Sequence, residues 1–204
     1  MTERTAPLPE STYERLTDAA DQAFLKNGAI PIAFGDVSEA AGVSRALVYS
    51  HFSSPEELVN AVLSRHVKLI EARADKHPPP PEVFQQDLKQ TLDIYFDHLC
   101  DNGPILHLAS QDAFMAGKFR QDYTRLRNGT LARLSRKARH ELKVSPSVAQ
   151  SLVLLSAGVA EEAARLARAN AFTHDTARQT MSRIVDLMLD GLKLESGASP
   201  APAA

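Results

Sequence analysis

The chain has 204 residues, 44% of them hydrophobic and 24% charged, with a formal net charge of −2. That length allows one large domain, or a small one plus a larger one, with a sizeable core. The charge excludes recognition of a polyanion by bulk attraction, so DNA binding would need a local patch and helix geometry. A single cysteine, Cys100, excludes an internal disulfide and fits a reducing cytoplasm. No apolar run reaches the ~18 residues of a membrane span, so no membrane partner is expected, and residues 1–10 lack an apolar signal stretch.

Helical periodicity dominates and alternating β-branched runs are absent, which predicts an all-α fold. The first helix is expected over Thr12–Asn27, where Tyr13, Leu16, Ala20, Ala23 and Phe24 follow the 3.6-residue spacing and Gly28 stops it. Pro31 opens a short segment ending at Ala41. Gly42 breaks that segment, and Ser44 caps another short helix to Phe52. Ser54 caps a longer helix over 55–75, with Pro55 at its first position and Glu56 and Glu57 in its first turn. The run His77-Pro78-Pro79-Pro80-Pro81 cannot be helical and reads as a joint. Further helices are expected over 82–101, 103–115, 118–142, 147–169 and 174–194. Asn102-Gly103-Pro104, Gly117, Ser145-Pro146 and Thr173 separate them. The tail 196–204 reads as disordered.

Residues 33–52 read AFGDVSEAAGVSRALVYSHF. Two short helices flank Gly42-Val43-Ser44. Neither can bury enough surface alone, so both must dock on the first and fourth helices. Gly42 permits the positive φ of a tight turn. Val37, Ala41, Val43 and Val48 supply the apolar contacts between the pair, and Phe52 plugs its end. This pattern is a helix-turn-helix, whose second helix can enter a major groove.

The motif resembles the TetR family. The residues that carry the resemblance are Ala41-Gly42-Val43-Ser44, Tyr49-Ser50-His51-Phe52 and Pro55-Glu56-Glu57-Leu58, with Phe24, Gly28, Asp36 and Val37 upstream. It covers about residues 12–60; beyond them only length and helical layout match. The resemblance implies a helix-turn-helix DNA-binding domain over 10–54, then an effector-binding and dimerisation domain over 55–195 with 55–75 as connector. It departs from the family at Ala46-Leu47, where a Gly-Thr or Gly-Ala pair is usual, and at Pro55, where a lysine is common. Residues 1–55 hold four Lys or Arg against seven Asp or Glu, a weak electrostatic footprint.

Arg45, at the start of the second helix, is expected to read guanine, the alternative being a solvated or phosphate-bound arginine. Leu47 can touch a thymine methyl. By resemblance Tyr49 and His51 bond phosphates, the alternatives being a core aromatic and a surface histidine. Ser44 caps the helix and can add a phosphate contact.

In the larger region Phe84, Leu88, Leu92, Tyr95, Phe96 and Leu99 share one helix face. With Phe114, Phe119 and Tyr123 they are the expected wall of a site for a small apolar or aromatic effector. Arg127 is either the anchor for an anionic group of that effector or the partner of a protein carboxylate such as Asp112 or Glu162. Leu152, Leu155, Val159, Ile184 and Met188, on the last two helices, are the expected homodimer interface, four helices in all. No catalytic motif, metal-ligand spacing or cofactor fingerprint occurs, so neither enzyme activity nor cofactor nor metal is expected. The expected partners are double-stranded operator DNA, a second copy of the chain and the effector. The expected function is a cytoplasmic repressor released by that effector. The rivals are a helical small-molecule carrier, and an interaction protein whose helix-turn-helix no longer binds DNA.

Overall fold

The computed structural model describes residues 11–28, 30–78 and 81–195. Expectations for residues 1–10, for Pro79 and Pro80 and for the tail 196–204 fall outside them. The described residues form nine helices and no strand. They are α1 (Thr12–Asn27), α2 (Phe34–Ala41), α3 (Arg45–His51), α4 (Pro55–Ala74), α5 (Phe84–Asn102), α6 (Ile105–Gln111), α7 (Gln121–Leu142), α8 (Pro146–Arg168) and α9 (His174–Glu195).

Helix boundaries follow local chemistry. Ser11 and Glu14 form a capping box at the start of α1, and Gly28 closes it in the left-handed region at φ +64°. Ser145 accepts the Val148 N–H at the start of α8. α6 stops at Gln111, short of the expected 115, and α7 starts three residues later than expected. The Asp112 carboxylate accepts the Phe114 N–H at 2.8 Å, which fixes a turn instead of a further helical turn.

The chain divides into two compact units. Among the described residues, the first comprises those from Ser11 to Arg65 and Leu108–Arg120; the second comprises His66–His107 and those from Gln121 to Glu195. The boundary therefore runs inside α4, eleven residues beyond the expected 54/55 division, and the segment 108–120 joins the first unit. Asn60 explains that membership. Its buried amide donates to the Lys118 carbonyl (2.9 Å) and accepts from the Arg120 N–H (3.0 Å). Lys118 also pairs with Glu56 at 2.9 Å. Along the chain, α4 and α6 are the helices that belong to both units.

The core of the second unit brings together Phe84, Leu88, Phe96 and Leu99 of α5, Leu134 and Ala138 of α7, Ala160 and Ala164 of α8, and Met181, Val185 and Leu189 of α9. Burial contributes roughly 1.5–3 kcal/mol for each of the Phe, Leu, Met and Val side chains and less for the alanines. One buried carboxylate interrupts the apolar packing. Asp87 on α5 is 1% exposed and takes Arg133 and Lys137 of α7 as partners. His66 of α4 and His98 of α5 are fully buried and meet ring to ring, Nδ1 to Nε2, at 2.9 Å. Among the described residues no helix is long and apolar enough to cross a membrane.

Candidate nucleic-acid interface

α2 and α3 have eight and seven residues, too few to stand alone. They are held from beneath by side chains that exclude water: Val37 and Val48 are fully buried, as are Leu16, Ala20 and Phe24 of α1. Phe52 ends α3 fully buried, its ring 5.3 Å from that of Tyr13. Gly42 turns the chain between α2 and α3 at φ +64°, where a side chain would be strained. Ser44 then caps α3, its hydroxyl accepting the Leu47 N–H at 3.3 Å.

That packing leaves one face of α3 in water. Ser44, Arg45, Ala46, Tyr49 and Ser50 are exposed, while Leu47 and His51 are partly covered. Tyr49 is 63% exposed, yet its ring lies edge-on against Phe34 of α2, centroids 4.8 Å apart. The ring thus packs against α2 while most of the side chain stays in water, so Tyr49 is not the core aromatic of the alternative expectation. Arg45 lies back across α2, its guanidinium against Gly35. Gly35 carries no sequence signal of this, since its partner lies on the next helix.

The residues expected to meet an effector divide between the units. Phe114 and Phe119 lie in the first. In the second, Phe84, Leu88, Leu92, Phe96, Leu99 and Tyr123 are buried and Tyr95 is partly so. The structure brings three polar groups together here. The Tyr95 hydroxyl donates to Glu161 of α8 at 2.9 Å, and His107 of α6 meets the same carboxylate at 2.8 Å. Burial first, and the neighbouring Glu161 charge second, hold the Tyr95 phenol above its ordinary range; the Arg127 charge acts in the opposite sense. Arg127 itself is exposed. Glu162, one of its expected carboxylate partners, is engaged by Arg165 at 2.6 and 2.7 Å.

Of the residues expected at a dimer interface, Leu152 is buried within the single chain, and Val159 and Met188 are partly buried against its core. Leu155 and Ile184 remain in water, and so do Leu154 and Leu187, which are not among the expected interface residues. Among the described residues no group of three or more His, Cys, Asp or Glu is placed to hold a metal.

Comparison with known proteins agrees with this geometry. The family described as "Bacterial regulatory proteins, tetR family" matches residues 16–62, from the middle of α1 into α4. The HTH-type transcriptional regulator TtgR of Pseudomonas putida is 38% identical over 63 residues, 31% of this chain and 30% of TtgR. The HTH-type transcriptional repressor BepR of Brucella suis is 28% identical over 98 residues, 45% of this chain and 46% of BepR. The sequence matches thus span less than half the length of these relatives. Solved structures extend the likeness in fold. A TetR-like transcriptional regulator from Rhodococcus sp. RHA1 superposes with a TM-score of 0.65 at 19% identity, over 90% of this chain and 99% of that one. BioQ, solved with its double-stranded DNA operator, gives 0.60 at 16% identity, over 90% of this chain and 98% of that one. The helix-turn-helix region of this chain therefore matches the TetR family of bacterial regulatory proteins, and its fold is TetR-like along nine-tenths of its length.

Proposed function

We propose that this chain is a dimeric, DNA-binding transcriptional regulator whose affinity for its operator responds to a small molecule. The carrying observation is the α2–turn–α3 unit. A left-handed Gly42 and a Ser44 cap set α3 on a packed base, with Ser44, Arg45 and Tyr49 in water and Leu47 and His51 at the margin. The relatives that share this region are named as transcriptional regulators, one a repressor and one an activator, which supports regulation of transcription without fixing its sign. A carrier or an enzyme has no use for such a unit. The test is a gel shift with the promoter region of the chain's own gene, at several salt concentrations. Retardation that persists against excess unrelated duplex is the expected result. Wild-type protein that retards no duplex would leave the carrier and the non-binding interaction protein as the readings that stand.

A second copy of the chain is the proposed partner for α8 and α9. Leu155 and Leu187 are 64% and 65% exposed, and Leu154 and Ile184 extend the apolar surface. Exposed large apolar side chains on two helices that pack together are what an association surface offers, and a two-fold dimer suits a two-half-site operator. For the effector, the proposed site lies in the second unit, around Tyr95, with Leu92, Leu99 and Tyr123 as apolar wall. Sites of this type are mostly apolar with few polar anchors. Tyr95, Glu161 and His107 are the polar anchors, and Arg127 serves a ligand with an anionic end. Preference for the non-DNA state by about 100-fold would cost about 2.7 kcal/mol of operator affinity. Aromatic acids and fatty acids, screened by thermal shift against wild type, Tyr95→Phe and Arg127→Ala, test it. Stabilisation undiminished in both variants would move the site elsewhere.

A further inference from the structure

We infer that Arg45 grips the DNA backbone, not a base edge, and that Gly35 assigns it that role by giving its guanidinium a seat on α2. The inference rests on the reading of the chain as a DNA-binding regulator. A Cβ built on Gly35 would lie 3.0 Å from Arg45 Nη2, 3.5 Å from Cζ and 3.7 Å from Nε. The guanidinium therefore lies against the bare backbone of the α2 first turn, in space any other residue at 35 would fill. It is not projected off the outer face of α3.

Two further observations say what it waits for. Among the described residues Arg45 takes neither a hydrogen bond nor an ion pair, so the seat is one of packing and leaves all its N–H donors for a ligand. Asp36, the acid next to the seat, is engaged by the Asn27 amide at 2.7 Å. The charge is also the only Lys or Arg from Phe34 to Phe52. In a helix-turn-helix the second helix enters the groove while the first crosses the backbone. A guanidinium displaced from α3 onto α2 is thus carried away from base edges and towards phosphate, whose oxygens match its paired donors. With so few cations in the reader, spending this one on a base would leave the motif without a charged backbone contact.

The test uses the full chain and begins by selecting bound sequences from a pool of random-sequence duplexes with wild-type protein. The selected duplex and its single-base variants are then titrated with wild type, Arg45→Ala, Gly35→Ala and the double variant, across a salt series. Gly35 is helical without a positive φ, and the obstructing atoms are the end of a flexible side chain, so alanine fits the fold. Thermal melts confirm that each variant is folded. Arg45→Ala should weaken all duplexes by the same factor, about 10-fold, and lower the slope of log affinity against log salt by about 0.9 per subunit. Gly35→Ala should weaken all duplexes uniformly and by less, and the double variant should be no weaker than Arg45→Ala. Flattened discrimination at one base position in Arg45→Ala would overturn the inference, as would losses that multiply in the double variant. Both outcomes leave DNA binding itself intact. Absence of any selected duplex with wild type would overturn the functional reading and this inference with it.

Discussion

The two units of the molecule are stabilised in different ways. The first packs two helices of eight and seven residues, α2 against α1 and α3 against α2, with a few fully buried side chains, Val37, Val48 and Phe52 among them. The second packs four helices of 19 to 23 residues around one large apolar cluster. It also tolerates buried polar groups, the Asp87 carboxylate and the His66–His98 pair. A short helix derives its stability from docking, so each side chain beneath it matters greatly. A long helix draws on many contacts, and a single apolar loss is diluted. The lesson is that substitutions of similar size should act locally in the first unit and globally in the second.

The largest effect is expected at Phe52. Its replacement by alanine removes a fully buried ring and should cost about 3–5 kcal/mol. Hydrogen exchange should show protection collapsing in α1–α3 while α8 and α9 keep theirs. Equal loss of protection in both units would break the comparison, because it would make them one cooperative block. Next in size is Asp87→Ala, which leaves Arg133 and Lys137 without their buried partner. Both cations are partly exposed and can turn to water. The cost should therefore be roughly 2–3 kcal/mol, below the 3–5 of a fully buried pair. Urea unfolding followed by circular dichroism should show the shift, with α5, α7, α8 and α9 losing exchange protection together.

A smaller effect on the chain, and a complete one on assembly, is expected at the outer face of α8 and α9. Leu155→Arg or Leu187→Arg alters a side chain already in water, so the isolated fold should change by less than about 0.5 kcal/mol. Sedimentation at micromolar concentration should give about twice the chain mass for wild type and the chain mass for either variant. A wild type that sediments as a monomer while binding its duplex tightly would remove the dimer from the functional reading.

These differences also explain what the sequence could and could not reveal. The turn at Gly42, the Ser44 cap and the Phe52 plug each need a particular residue type at a particular spacing, so the reader was legible from residues 33–52 alone. Helices α5 to α9 need only apolar periodicity. Their existence could be read closely, and their ends to within a few residues. The exception is α6, where a side-chain turn at Asp112 overrode a continuing helical pattern. The membership of 108–120 in the first unit was hidden, because Asn60 reaches it across 58 and 60 positions of sequence. Likewise, helical spacing puts Leu152 and Leu155 on neighbouring stripes of α8, and only packing tells which one enters the core. The seat of Arg45 on Gly35 depends on how two helices cross, a distance that no spacing rule contains.

The smallest effect probes that hidden membership most directly. Glu56 sits in the first turn of α4, and its pKa is lowered from 4.5 to about 2. The hydrogen bond from Lys118 is the largest cause; bonds from its own backbone N–H and from Ser54 follow. A depressed carboxylate pKa favours the folded state above the unfolded value, and that contribution is lost as pH falls from about 4.5 through about 2. Because the carboxylate is open to water, the change is better followed at the group itself than in global stability. Carboxyl carbon NMR should find Glu56 still ionised at pH 3.5. In Lys118→Ala the titration should rise towards, but not reach, 4.5, because the Ser54 and backbone bonds remain. Glu57 serves as an internal control, since its pKa is lowered mainly by Ser53 and should stay where it is. If Glu56 titrates identically with and without Lys118, the side-chain pair does not hold 108–120 to α4, and the two Asn60 bonds carry more of the attachment. The variant Asn60→Ala should then loosen the segment further than Lys118→Ala does, which exchange of the Arg120 amide would register.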